Sequence, residues 1–362
     1  MSPENEDLRQ VISEQNAELE RLDNSRENRV KKAQLYLDLG DNYEIIGERD
    51  KALNCYKESL ILSRELNEII IIAKAYQRMG NIKADMFLFP TAIAYYEKAI
   101  TISERIFNDE LLGELFCGLG GIYHRIGAND RAIEYFNKSA EKANLIKDTK
   151  TIIKDYNQLG VMHAEKGDFK NALYFWELAL DRLRIIDDQR TKAKVLNNIG
   201  MLYYDKGEYE KAIERFEELK RLGEKAQIKD AEGRALVNGA HAYIKLGQIG
   251  KAQEYNQKGE ELFKKLNDIN MLIGVKLNVA LVYSTKKNWD KSIAVFNEIF
   301  DDLKDIYAPY IHGIMHYEFG MVLKNMGKRE EARIQLNESL ESFEEAWAVY
   351  YVNKVEEELA KI

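Results

Sequence analysis

The sequence predicts an all-α protein in which helical hairpins stack side by side into a solenoid. Three observations carry this prediction: a period of 40 residues, small residues at two fixed places in each period, and eight copies in register without an insertion. The first small place holds Gly40, Gly80, Gly120, Gly160, Gly200, Ala240, Ala280 and Gly320. The second holds Ala52, Ala92, Ala132, Ala172, Ala212, Ala252, Ser292 and Ala332.

The first helix of each copy is predicted from an apolar stripe that runs past the first small place. In the fifth copy, Ile199 precedes Gly200 and Tyr203 follows at helical spacing. A glycine seven residues after the small place ends the helix, because glycine readily adopts the left-handed conformation that a helix C-terminus needs. This glycine occurs at Gly47, Gly127, Gly167, Gly207, Gly247 and Gly327.

The second helix of each copy carries the second small residue and, four positions later, an aromatic residue on the same face. The aromatic residues are Tyr56, Tyr96, Phe136, Trp176, Phe216 and Phe296. Small residues let the two helices approach closely, and the aromatic rings fill the remaining space. Each copy is therefore predicted to be an antiparallel hairpin that buries its apolar face against its neighbours.

This pattern resembles the tetratricopeptide repeat across residues 28–346. The usual repeat, of about 34 residues, is shorter. The extra residues here fall between hairpins, which predicts longer helices. Repeats of this length are similar to those of kinesin light chains, Leu-Gly-Asn-repeat spindle-orientation proteins and Rap-type bacterial peptide receptors. The resemblance implies a right-handed superhelix whose inner groove holds an extended partner.

Terminal helices are predicted to cap the eight repeats of residues 28–346. Residues 1–24 contain an amphipathic stripe formed by Leu8, Val11, Ile12, Leu19 and Leu22. We expect this segment to cover the first repeat, and the alternative is a short coiled coil that forms a weak homo-oligomer. Residues 347–362 continue in the frame of the repeats and are predicted to form the C-terminal capping helix.

Composition narrows the possible partners and location. The net charge of −8 disfavours general nucleic-acid binding. The sequence shows no secretory signal and no apolar run long enough to span a membrane. The two cysteines, Cys55 and Cys117, fall on helices of different repeats, so reduced thiols are expected. These features predict a cytoplasmic protein with no nucleic-acid or membrane partner.

Candidate binding residues lie on the first helices, at places that the packing pattern does not use. Two series, six and two residues before the first small place, are four residues apart and share a helix face. Their polar members in repeats four to seven are Lys154, Gln158, Lys194, Asn198, Arg234, Asn238 and Asn278. Asparagine can pair with a peptide backbone, and lysine or arginine attracts a carboxylate. The set predicts a groove for an extended or helical, acidic protein segment, and the alternative is a solvated helix face.

The turn of the second repeat departs from the pattern, because Phe87 occupies the place of the usual glycine. Leu88 and Phe89 follow it, and so many apolar residues are unusual in a turn. We expect the turn to fold over a helix end and bury these side chains. The alternative is an exposed docking patch formed by Phe87, Leu88 and Phe89.

Signals for catalysis are weak. His312 and His316 are four residues apart and could share a metal, but the sequence offers no third ligand. We therefore expect a protein that is not an enzyme and that needs no cofactor or metal. The first functional hypothesis is an interaction scaffold. The alternative is a Rap-like regulatory receptor that changes conformation on binding a peptide, although residues 1–24 are too few for the N-terminal output domain of such receptors.

Overall fold

The structure is a computed structural model that describes residues 3–362, apart from the side chains of residues 3–6 and 270. The described residues form eighteen α-helices and no β-strand. The helices are α1 (Pro3–Arg21), α2 (Arg26–Ile45), α3 (Arg49–Leu66), α4 (Ile69–Asp85), α5 (Phe89–Arg105), α6 (Asp109–Arg125), α7 (Asn129–Ile146), α8 (Thr149–Glu165), α9 (Phe169–Arg182), α10 (Gln189–Asp205), α11 (Tyr209–Ala226), α12 (Lys229–Lys245), α13 (Ile249–Leu266), α14 (Ile269–Thr285), α15 (Trp289–Leu303), α16 (Pro309–Asn325), α17 (Arg329–Glu345) and α18 (Val349–Leu359).

The chain divides into two compact units, and the division falls within α8. The first unit runs to Asp155 and the second runs from Tyr156 to Ile362. Within each unit, consecutive helices pack against each other as hairpins joined by short turns. The all-α hairpin architecture expected from the 40-residue period is therefore present in both units.

Close helix packing explains the first small place of each repeat. A β-carbon built on Gly200 of α10 would lie 2.5 Å from Cε1 of Phe216 on α11, which is well inside van der Waals contact. Phe216 is almost fully buried, together with Ala212 of the same helix. Glycine at residue 200 thus lets the aromatic ring fill the space between the two helices of the hairpin.

The turn inside each hairpin has the geometry that its glycine predicts. Gly207 has φ of +74°, and its N–H donates to the carbonyl of Tyr204 at 2.9 Å. The N–H of Glu208 donates to the carbonyl of Tyr203, so the last carbonyls of α10 are satisfied. Phe87 and Lys287 have φ of +58° and +55°, so the turn keeps its shape even where glycine is absent.

The terminal helices pack on their neighbouring hairpins. Ile12 of α1 is buried with Leu39 and Cys55, which favours the capping role over an exposed coiled coil. Residues 1 and 2 of the predicted N-terminal helix lie outside the described residues. The last helix begins at Val349 rather than at residue 347, because Trp347 is in the left-handed conformation with φ of +56°. The division into two caps and eight repeats stays a prediction.

Across residues 3–362, no helix combines the length and the apolar character that crossing a lipid bilayer requires.

Candidate functional site

The predicted binding residues of repeats four to six lie on the first helices of their hairpins. In the second unit, Gln158, Asn198 and Asn238 are partly buried on α8, α10 and α12, and Lys194 is exposed one turn before Asn198. Lys154 is also exposed, on the part of α8 that belongs to the first unit.

The asparagines of successive repeats are hydrogen-bonded to one another. The amide nitrogen of Asn198 donates to Oδ1 of Asn157 at 3.2 Å, and that of Asn238 donates to Oδ1 of Asn197 at 2.9 Å. Each bond joins the first helices of adjacent hairpins. Because an amide has two N–H groups and two oxygen lone pairs, each asparagine keeps further hydrogen-bonding capacity. The pairs restrict the orientations of their side chains.

Asn278 corrects the prediction for the seventh repeat, because it is only 1% exposed. Its amide nitrogen donates to the carbonyl of Val237 at 2.9 Å and to Oδ1 of Asn256 at 3.0 Å. A buried polar side chain must find partners inside the protein, and these bonds tie α14 to α12 and α13. Asn278 is thus a structural residue and cannot contact a partner.

The basic residues of α10 and α12 line a cleft of about 350 Å³, here called the basic cleft. Arg190, Lys194 and Arg234 lie around Asn198 at this place. Nε of Arg234 is 3.0 and 3.1 Å from the two carboxylate oxygens of Asp230, so this arginine is already paired. Arg190 and Lys194 are exposed at this cleft, and neither forms an ion pair among the residues that the structure describes.

A second cavity, of about 380 Å³, lies between the first helices and α18 and is here called the α18 chamber. It shares Asn197, Asn198 and Arg234 with the basic cleft, so the two spaces adjoin. Its remaining lining is mainly apolar and aromatic and includes Phe169, Met201, Met271, Tyr310, Tyr350 and Tyr351. A concave apolar space with a few fixed polar groups is a common form of ligand site.

Helix α18 closes one side of the chamber through contacts with α9 and α10. The Tyr351 hydroxyl donates to Oδ2 of Asp205 at 2.7 Å, and the Tyr350 hydroxyl donates to the Asp205 carbonyl at 3.0 Å. The ring of Tyr350 also meets Phe169 edge to face, with centroids 4.9 Å apart. The two hydrogen bonds join residues 145 and 146 positions apart in the sequence.

Asp205 lies at the contact between α10 and α18. Its carboxylate bonds Tyr351 and lies 3.9 Å from Nζ of Lys354 on α18. Burial raises the pKa of Asp205 to about 6, although Lys354 and Tyr351 act in the opposite direction. The carboxylate therefore belongs to the closure of the chamber.

A second buried polar network links α12 to α16. Nζ of Lys245 lies 3.1 Å from the carboxylate of Glu318, and His241 is 3.9 Å from the same group. Burial would raise the pKa of Glu318, but the charge of Lys245 above all holds it below its ordinary value. Burial lowers the pKa of His241 to about 4, so its ring is neutral at pH 7 and lies 3.0 Å from the Tyr204 hydroxyl.

The turn at Phe87 is exposed, so the expected burial of its side chains is wrong. Phe87 is 74% exposed, Leu88 is also exposed, and Phe89 is partly buried. The guanidinium of Arg125 lies over both phenylalanine rings and pairs with Asp85 at 3.1 Å. A docking role for Phe87, Leu88 and Phe89 stays a prediction.

His312 and His316 make local contacts instead of facing a shared ion. Nε2 of His312 is 3.1 Å from the Ile306 carbonyl, and Nδ1 of His316 is 2.8 Å from Oε1 of Gln335. Within the part of the chain that the structure describes, no three histidine, cysteine, aspartate or glutamate side chains converge as metal ligands.

Sequence reasoning missed the closure by α18. The segment was predicted only as a cap, yet it supplies Tyr350 and Tyr351 to the chamber wall and places Lys354 beside Asp205. The signal in the sequence was the pair of adjacent tyrosines on the terminal helix. A helix that only covers a repeat does not need two such residues.

The family comparison matches most of the repeat region. The tetratricopeptide-repeat model matches residues 71–144, 152–225 and 191–265, and a second tetratricopeptide-repeat model matches residues 33–65. No curated protein matches the sequence significantly.

Solved structures with a similar fold include the apo form of RapI, which is 16% identical. The match has a TM-score of 0.79 and covers 95% of this chain and 94% of that one. Aspartyl phosphate phosphatase F from Bacillus subtilis is 15% identical, with a TM-score of 0.69 and coverage of 94% and 89%. The Rap conjugation gene regulator of plasmid pLS20, in complex with the Phr* peptide, is 15% identical, with a TM-score of 0.60 and coverage of 97% and 96%. At these identities, the similarity establishes a shared fold.

Proposed function

The chain belongs to the tetratricopeptide-repeat family, and from that premise we propose that it is a non-enzymatic binding protein that holds an extended protein segment against the first helices of its second unit. The site comprises the α18 chamber and the adjoining basic cleft. Stacked helical repeats commonly bind partners along such a surface. The protein acts by binding, and a cytoplasmic location, in which the buried thiols of Cys55 and Cys117 stay reduced, is part of the proposal.

The paired asparagines are the observation that supports this function best. Asn198 and Asn238 occupy equivalent places in successive repeats and are held by Asn157 and Asn197. Fixed amides at a regular spacing can bond the N–H and C=O groups of an extended backbone. Because their orientation is set before binding, less conformational entropy is lost when the ligand arrives.

Charge and apolar lining suggest the composition of the segment. Arg190 and Lys194 are exposed at the basic cleft and would attract a carboxylate. The chamber beside them is lined by Phe169, Tyr310 and Tyr350, which suit an apolar side chain. The segment proposed here therefore carries an acidic group next to an apolar residue.

A regulatory peptide receptor is the specific form of binding protein that the similar structures favour. One of them is described in complex with the Phr* peptide. The shortness of residues 1–24 is, from the sequence alone, an objection to a receptor of this kind. The match to RapI weakens that objection, because it covers 94% of the RapI chain.

The test replaces the two asparagines and measures peptide binding. A synthetic library of decapeptides is passed over the immobilised protein, and a retained peptide is then titrated by calorimetry against wild type and Asn198→Ala/Asn238→Ala. We expect the double variant to bind at least about tenfold more weakly, because two fixed backbone contacts worth about 1 kcal/mol each are lost. Its helical circular dichroism should be unchanged.

The matched control replaces two exposed asparagines on second helices, Asn137→Ala/Asn297→Ala. This control should bind the peptide as wild type does. Equal affinity of the Asn198/Asn238 variant and the control would refute the site, and failure of the wild type to retain any peptide would refute the function.

A further inference from the structure

Phe107, in the first unit, is the most conspicuous apolar residue outside the proposed site. It is 88% exposed, and its φ of +52° puts it in the left-handed conformation. A bulky side chain in this region is an outlier, and burial does not compensate for it here. The position lies in the turn between α5 and α6.

Four of the five equivalent turns with positive φ carry no aromatic residue at this place, and the exception is Trp347 with φ of +56°. Asn67 and Asn267 occupy the same place with φ of +61° and +53°, and asparagine tolerates the left-handed region well. Lys147 and Gln227 occupy it elsewhere. The turn can therefore form without a phenylalanine, so the fold does not explain the exposed ring.

The ring of Phe107 borders an open cleft of about 680 Å³, here called the Phe107 cleft. The apolar part of the cleft consists of Ile69, Ile70, Ile106 and Ile146, from three neighbouring helix ends. Contiguous exposed apolar surface of this kind marks interaction sites more often than ordinary surface.

Every charged residue that lines the Phe107 cleft is acidic. These residues are Glu68, Asp109 and Glu110. Asp109 is paired with Lys142 at 2.7 Å. Among the described residues, Glu68 and Glu110 form no ion pair, and Glu110 is exposed. Acidic groups beside helix N-termini are stabilised by the helix dipole, but that effect does not require an apolar cleft next to them.

We propose that the Phe107 cleft is a second docking surface, which binds a short segment of another protein that carries apolar side chains flanked by lysine or arginine. The apolar residues would contact Phe107 and the isoleucines, and the cations would face Glu68 and Glu110. A second copy of the chain is a poorer occupant, because five apolar side chains provide far less than the ~800 Å² per partner of a standard stable interface. This surface is separate in sequence from the site in the second unit.

The test uses a fluorescein-labelled amphipathic peptide of leucine and lysine, and a matched peptide in which glutamate replaces each lysine. Binding is followed by fluorescence anisotropy at about 0.15 M salt, where only close charge pairs still contribute. The leucine–lysine peptide should bind wild type, and Phe107→Asn should weaken binding at least tenfold. The thermal midpoint of Phe107→Asn should be equal to or above that of wild type, because asparagine suits the turn.

Charge reversal provides the second variant. Glu68→Lys/Glu110→Lys should also weaken binding at least tenfold, whereas Glu330→Lys/Glu338→Lys, which changes the net charge equally at exposed sites of α17, should not. The proposal is overturned if Phe107→Asn binds like wild type, if the two charge reversals behave alike, or if the glutamate peptide binds equally well. A doubled mass in sedimentation equilibrium that Phe107→Asn abolishes would identify a second copy as the occupant and overturn it too.

Discussion

Burial separates polar residues that can meet a ligand from polar residues that hold the fold together. Asn198, Asn238 and Asn278 occupy the same place in successive repeats, yet only the first two reach a cavity. Asn278 is enclosed because Asn256 and the Val237 carbonyl lie within hydrogen-bond distance of its amide. The same residue type at one repeat position therefore has two different roles, which depend on the residues of the adjacent hairpin.

Asp155 is the clearest case of a buried titratable residue outside the proposed site. Its side chain is fully buried, and burial raises its pKa to about 7, with Ser139 and Cys117 nearby. Since the folded pKa lies above the ordinary value of 3.8, the folded state binds the proton more tightly than the unfolded state. The stability that the protonated carboxyl contributes is therefore lost as pH rises through 7.

We predict that Asp155→Asn reduces the loss of folding stability as pH rises through 7. Relative to wild type, the variant should gain about 1.4 kcal/mol of unfolding free energy for each pH unit between about 5 and 7. Urea denaturation of both proteins at pH 5, 6, 7 and 8 measures the difference. A difference between the two proteins that stays constant across this range would show that Asp155 is ionised in the folded state.

At the scale of helices, α18 contributes more than a cover for the last hairpin. Its tyrosines bond Asp205 of α10, and Tyr351 also stacks on Phe343 of α17 with centroids 4.9 Å apart. The helix is thus held on both sides, and its position sets the size of the α18 chamber. A ligand in the chamber would contact α18 as well as the asparagines.

We predict that Tyr351→Phe loosens α18 without unfolding the repeats. The change removes a hydrogen bond to a buried carboxylate, which costs about 1–3 kcal/mol. Hydrogen exchange followed by mass spectrometry should show faster exchange in Val349–Leu359, with little change in α12. Tyr307→Phe is the control, because the Tyr307 hydroxyl bonds Glu345 at an exposed site. Equal exchange in the two variants would mean that the Asp205 contact does not hold α18.

The helices themselves could be predicted from the sequence because their causes are local. The glycine at residue 207 ends α10, and Gly200 makes room for Phe216, as the repeat pattern indicates. Contacts between distant hairpins are not encoded in the period. The pairing of Asp205 with Tyr351 is such a contact, so the closure was not predictable. The burial of Asn278 depends instead on Asn256 and Val237 of the preceding hairpin, which break the repeat pattern at this one binding residue.

At the scale of the whole chain, repetition explains both the fold and the position of the proposed binding residues. The 40-residue period places equivalent side chains on successive first helices, so a property shared by several repeats becomes a continuous surface. Residues that depart from the period then distinguish one repeat from another. Phe87, Phe107 and the tyrosines of α18 are such departures, and each lies at an exposed or cavity-lining position.

The central claim is that Asn198 and Asn238 face a cavity that a ligand fills, and cysteine labelling tests it most directly. Asn198→Cys, Asn238→Cys, Asn278→Cys and the exposed control Asn297→Cys are each reacted with a maleimide, against a low background because Cys55 and Cys117 are buried. Cysteines at 198, 238 and 297 should react, and the cysteine at 278 should not. A bound decapeptide should slow labelling at 198 and 238 at least about tenfold and leave 297 unchanged. Equal labelling at 198 and 238 with and without a bound peptide would contradict the claim.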